Sequence, residues 1–136
     1  MHQFTVRTKS QVEMIDITSR VHDALLQTYV KDGVCQVFIP HTTAGVTINE
    51  NADPAVVRDI IKELNKIVPM DDHYEHSEGN SAAHIKASLV GFSVFVPVEA
   101  GKLALGTWQG IYLCEFDGPR PRKVYVTPLS GGKIQI

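Results

Sequence analysis

Eight short segments rich in β-branched and aromatic residues run through this chain of 136 residues, and only two or three stretches between them carry a helical stripe. That order excludes a helical bundle. It also lacks the regular strand–helix alternation of a doubly wound nucleotide fold, so the expected class is α+β with a mixed or antiparallel sheet. With 43% hydrophobic residues the chain can bury one core but not two, and residues 1–136 are read as one domain without repeats or linkers.

Phe4–Thr8 and Val12–Ile17 alternate with period two and read as a hairpin. Thr18 or Ser19 then caps a helix with Val21, Ala24, Leu25, Thr28 and Tyr29 on one face, ended by Gly33. Val34–Ile39 and Ala44–Glu50 are strands separated by Pro40 and His41. Asp53-Pro54 pairs an N-cap carboxylate with proline at the first helical position, and Val57, Ile60, Ile61, Leu64 and Val68 form the stripe that follows. A polar stretch from Pro69 to Asn80 reads as a loop, and Ser81–Ser88 as a short helix ended by Gly91. Phe92–Val98, Lys102–Thr107, Gln109–Phe116 and Arg122–Thr127 are four more strands, with a tight turn at Glu99-Ala100-Gly101.

Thirteen basic and fifteen acidic residues leave a net charge of -2, which gives no electrostatic ground for a nucleic-acid or anionic-membrane partner. The first residues lack the basic-then-apolar order of a signal peptide, and no apolar run reaches membrane-spanning length, so a soluble cytoplasmic protein is expected. Cys35 and Cys114 lie in apolar strands and read as reduced, buried thiols, with a disulfide the lesser alternative.

Three polar features stand out. Strand alternation from His41 to Asn51 puts His41, Thr43, Thr47 and Asn49 opposite Ala44, Val46 and Ile48, and Asn49-Glu50-Asn51 leads into a helix start suited to an anionic substrate. His73, His76 and His84, with Glu75 and Glu78, are the densest set of metal ligands and proton carriers. Their spacing matches neither a zinc finger nor a metalloprotease helix, so a surface loop and a metal centre both remain open. If His41, His76 and His84 converge, they can hold a divalent ion, zinc or magnesium, with an open position. In the third feature, Trp108 sits between Gly106 and Gly110, and Gln109 and Glu115 would be costly in an apolar strand unless paired. There is no phosphate-binding glycine–lysine loop, dinucleotide glycine fingerprint or glycine-flanked nucleophilic serine.

The stretches His41–Pro54, Ala83–Leu89 and Leu105–Glu115 closely resemble the secondary thiamine-phosphate synthase (YjbQ-like) family, and the likeness covers nearly the whole chain. The resemblance implies an α+β fold with a β-sandwich-like core, a homotrimer, and a weak activity joining hydroxymethylpyrimidine diphosphate to thiazole phosphate. It also implies one shared polar pocket made of His41, Asn49, Glu50, Asn51, His76, His84, Gln109 and Glu115. In that pocket His41, His76 and His84 are expected to bind metal or move protons, and Glu50, Gln109 and Glu115 to act in catalysis. Thr42, Thr43, Asn49, Asn51, Lys86 and Trp108 are expected to contact the small-molecule substrate. Two alternatives stand beside this reading: a metal-dependent hydrolase of a small phosphorylated or cyclic substrate, and a non-enzymatic trimeric protein that binds metal or ligand.

Overall fold

The computed structural model describes residues 1–131, with eight strands and three helices. They are β1 (His2–Arg7), β2 (Glu13–Asp16), α1 (Thr18–Leu26), β3 (Gly33–Phe38), β4 (Ala44–Glu50), α2 (Pro54–Ile67), α3 (Ser81–Val90), β5 (Ser93–Glu99), β6 (Lys102–Leu103), β7 (Gln109–Glu115) and β8 (Pro121–Ser130). One sheet has the order β1-β8-β3-β5-β6 and the other β2-β7-β4. Every pairing is antiparallel, so the α+β class holds, and of the mixed and antiparallel sheets expected the antiparallel ones form.

The strands of the two sheets alternate inward and outward, and their inward residues make one core: Val6, Cys35, Val37, Val96, Val98, Val124 and Val126 from the larger sheet meet Ala44, Val46, Ile111 and Leu113 from the smaller. Helix α1 adds Val21, Ala24 and Leu25 to the same core. The other face of the smaller sheet is covered by α2 and α3, where Tyr112 and Cys114 pack with Ala83, Ala87, Val57 and Leu64. Strand β7 is therefore enclosed on both faces, and every residue in it after Gln109 is buried.

The expected hairpin of the first two strands does not form: β1 pairs with β8 and β2 with β7, in different sheets. The backbone explains the split. Thr8 N donates to Arg120 O at 3.1 Å and keeps the chain on β8, after which the Glu13 carboxylate accepts from Lys9 N (2.6 Å) and Ser10 N (2.7 Å) and turns it away. Alternation predicts a strand but not its partner.

Helix α1 is also shorter than its apolar face suggests. It ends at Leu26, Tyr29 is 98% exposed, and Gly33 opens β3 instead of closing the helix. Ile17 stands at the N-cap with no side-chain bond, because the Thr18 hydroxyl instead accepts from Ile111 N at 2.8 Å and donates to Asp16 Oδ1 at 2.6 Å. That pair ties the helix to β7. Helix α2 starts as expected, with Asp53 accepting from Ala55 N, and α3 ends at Gly91 with a positive φ of 98°. The strand expected over Lys102–Thr107 is paired only at Lys102 and Leu103, across a turn at Ala100 and Gly101.

Candidate functional site

In the register of the smaller sheet, Ala44 lies opposite Glu115, and Glu50 opposite Gln109. Six residue steps at about 3.3 Å put these two ends about 20 Å apart. Within one chain the expected single pocket is thus divided: His41 and Glu115 lie at one end, and Asn49, Glu50, Asn51 and Gln109 at the other.

At the first end the dominant feature is a buried ion pair between the two sheets. Glu115 (0% exposed) continues the inward parity of Ile111 and Leu113, and Arg122 (2% exposed) that of Val124 and Val126. Arg122 donates Nε to Glu115 Oε1 at 2.8 Å and its terminal nitrogen to Oε2 and to Thr43 Oγ1 (2.8 Å). The Thr8 hydroxyl donates to Glu115 Oε1 at 2.7 Å and Asp117 N to Oε2 at 3.0 Å. Burial alone would push the Glu115 carboxyl up, but the Arg122, Asp117 and Thr8 hydrogen bonds outweigh it and hold it below its ordinary value. A carboxylate so fully engaged is an anchor, with no lone pair left facing solvent. Thr43, expected to face substrate, is buried and belongs to this cluster.

His41 sits beside the ion pair on the loop between β3 and β4, half-buried, where its Nε2 accepts from Lys123 N at 2.8 Å. Burial lowers its pKa, as does the positive charge of Arg122, against a weaker opposing pull from Glu115. With Thr42 it lines a cavity of about 300 Å³ walled by Phe38, Ile39, Pro40 and Phe92.

The other histidines are held by α3 and the loop before it. His76 and His84 meet edge to face with ring centroids 5.4 Å apart, and His76 Nε2 lies 3.9 Å from Glu78 Oε2. They line a cavity of about 530 Å³ with His73, Tyr74, Glu75, Ser81 and Ile85. The loop is fastened by Tyr74, whose hydroxyl donates to Pro69 O at 2.7 Å, and by Asn80, whose Nδ2 donates to Asp117 Oδ2 at 2.9 Å. Among the described residues no three His, Cys, Asp or Glu side chains are grouped so as to hold a metal ion, so one chain brings His76 and His84 together without His41. Lys86, expected to contact substrate, is 2% exposed and donates Nζ to Asn65 Oδ1 on α2 at 2.5 Å. Burial lowers its pKa.

At the far end, Asn51 Nδ2 lies 3.4 Å from Asp16 Oδ2, and the Tyr112 hydroxyl donates to Glu50 O at 2.9 Å. Gln109 folds back to accept from Gly106 N at 2.8 Å, and Trp108 is exposed. Gly110 is required beneath Asn51: a Cβ there would come within 2.7 Å of Asn51 Nδ2. A further cavity of about 430 Å³ opens beside Asp16, Thr18, Ser19 and His22.

Sequence reasoning missed Thr8, Asp117 and the inward turn of Arg122. The signal for Arg122 was present, since it shares strand parity with two buried valines. Cys35 and Cys114 are buried free thiols, pushed up to about 11 and about 12 by burial. They lie in different cores, on opposite sides of the smaller sheet. No helix among the described residues is long and apolar enough to cross a membrane.

Residues 2–131 match the family model described as UPF0047 protein YjbQ-like. UPF0047 protein MJ1081 of Methanocaldococcus jannaschii is 49% identical over 126 residues, covering 93% of this chain and 91% of its own. UPF0047 protein YugU of Bacillus subtilis is 51% identical, covering 89% and 92%. A YjbQ/UPF0047-family crystal structure from Clostridium acetobutylicum superposes with a TM-score of 0.93 at 54% identity, covering 95% of this chain and 100% of its own.

Proposed function

The chain belongs to the YjbQ-like UPF0047 family, and from that premise we propose that it is a small-molecule enzyme whose acid–base centre is the His76–His84 pair. The observation that carries this reading is the contact of the two rings, 5.4 Å apart, in an open cavity with Glu75 and Glu78 beside them. Imidazole is the side chain suited to exchanging a proton near neutral pH, and two rings in contact can pass one between them.

The resemblance of the sequence to the secondary thiamine-phosphate synthase family makes that transfer the first reaction to test. In it the thiazole nitrogen attacks the methylene carbon of hydroxymethylpyrimidine diphosphate; a C–N bond forms, the C–O bond breaks and diphosphate departs. A protonated imidazole beside the leaving oxygens would stabilise their developing charge. Two histidines do not complete a zinc site. Magnesium asks less of the protein, one or two carboxylates with the rest from substrate phosphates and water, and Glu75 and Glu78 are the carboxylates at hand. In an assay that follows thiamine phosphate, His84→Ala and His76→Ala are each expected to lower kcat by 10²-fold or more, the usual range for losing an acid or base. Unchanged turnover in both variants would remove the pair from the chemistry, and no product from the parent protein would remove the reaction.

We also propose that the protein assembles as a homotrimer. In support, α2 has a full apolar stripe yet no buried residue, and Ile67, Leu89 and Phe95 are exposed. Assembly offers a way to bring one chain's Asn49–Asn51 end near another's histidines. Light scattering on a size-exclusion column is then expected to give three times the 15.0 kDa chain mass, and a monomer at micromolar concentration would exclude it.

A further inference from the structure

We infer that the cavity beside His41 binds a ring-sized, largely apolar ligand through a hydrogen bond donated by Nδ1 of a neutral His41, whose tautomer is fixed by the backbone amide of Lys123. This cavity is separate from the one beside His76 and His84, so the inference goes beyond the reaction proposed above and stands or falls without it.

The tautomer follows from one contact. Lys123 N donates to His41 Nε2 at 2.8 Å, and a backbone N–H of a strand residue can be neither rotated away nor deprotonated. Nε2 must therefore carry a lone pair. In a neutral imidazole the proton then sits on Nδ1, which has no hydrogen-bond partner among the described residues. An imidazolium would set two N–H groups against each other at 2.8 Å and would add a charge beside Arg120, Arg122 and Lys123. Glu115, the one carboxylate among the described residues that acts on it, is already matched by Arg122.

The walls define the rest of the ligand. At about 300 Å³ the cavity is at the lower end of the size of small-molecule sites. Phe38, Ile39, Pro40 and Phe92 offer apolar contact and the Thr42 hydroxyl one more polar edge. Phe38 is itself stacked on Tyr125, with ring centroids 6.3 Å apart, which steadies that wall. A pocket of aromatic sides with one fixed N–H donor selects a flat ring bearing an acceptor at its edge, and it disfavours a cation. It also removes His41 from the metal-ligand set, because Nε2 is taken and Nδ1 carries the proton.

The test uses the full chain labelled with 15N-histidine, and benzamide as the probe. Two-bond 15N–1H spectra at pH 7.5 are expected to show His41 Nε2 unprotonated and Nδ1 protonated. Benzamide should move the His41 Nδ1 and the ring signals of Phe38 and Phe92 while leaving His76 and His84 in place. Benzylamine, the same ring with a cationic donor, should not. His41→Phe keeps a ring of similar volume and is expected to weaken benzamide at least 10-fold. An Nε2-protonated tautomer, an imidazolium, benzamide shifts confined to other residues, or undiminished binding by His41→Phe would each overturn the inference. The tautomer is read on the parent protein, so it decides even if the variant does not fold. Loss of turnover in the His76 and His84 variants would leave this result unaffected.

Discussion

Glu115→Ala is expected to lower stability by about 3–5 kcal/mol, the cost of leaving a buried charge without its partner. Arg122 would remain 2% exposed with only Thr43 to accept its hydrogen bonds, and Thr8 and Asp117 N would lose theirs. At roughly 4 °C per kcal/mol for a domain of this size, calorimetry should show a midpoint lower by more than about 10 °C. The double variant Glu115→Met/Arg122→Met should recover most of that loss, because exchanging a whole buried pair for apolar residues is often close to neutral. A double variant as unstable as the single one would mean that the cluster matters for its shape and not its charge. The pH dependence has a definite sign. The folded carboxyl lies below its unfolded value of about 4.3, so its contribution is complete above that pH and is lost as the pH falls through the folded value. Acid unfolding of the parent should steepen there, and Glu115→Ala should lack that component.

Gly45→Ala is expected to do nearly as much harm, and to reach His84 as well. A Cβ at Gly45 would lie 2.5 Å from Gly91 O and 3.3 Å from Val90 Cγ1. Gly91 O is the acceptor for Val46 N at 3.0 Å, so the backbone at the end of α3 is pinned to β4 at this very place. The added methyl cannot be absorbed by a side-chain rotation and must push the helix away. Overpacking of this kind costs about 1–3 kcal/mol, with the rigid backbone contact at the upper end. Because α3 carries His84, its displacement should open the contact with His76. Denaturant unfolding would register the first effect and the thiamine-phosphate assay the second. A variant with full stability would mean that α3 slides freely on β4, against the contact described.

The sequence was most informative where one local rule decides the outcome. Asp53-Pro54 starts a helix, Gly91 ends one, and the alternation from Ala44 to Glu50 makes a strand, all from short-range geometry. Pairing is different. Nothing in Phe4–Thr8 says that its partner is β8, because that choice depends on Thr8 meeting Arg120 across 112 residues, after which Glu13 turns the chain locally. The polar residues followed the same division. Glu115 was legible as a polar group in need of a partner, and the partner, Arg122, was in the parity of its own strand. Their meeting is tertiary. The division of the expected pocket into two ends came from register, which periodicity does not contain.

The placement of β7 and β8 has a consequence for how the protein is made. β7 is the middle strand of the smaller sheet, and β8 lies between β1 and β3 in the larger, so both sheets are assembled around segments that leave the ribosome after residue 108. Until then β1, β2 and β4 have no partners, and β3, β5 and β6 have only one another. Most of the core must wait, exposed, for contacts that close loops of roughly 60 to 120 residues, which is the slow and aggregation-exposed class of topology. Rapid synthesis followed by collapse onto β7 and β8 would favour this chain, and a pause before them would hold its apolar strands unpaired in the cell.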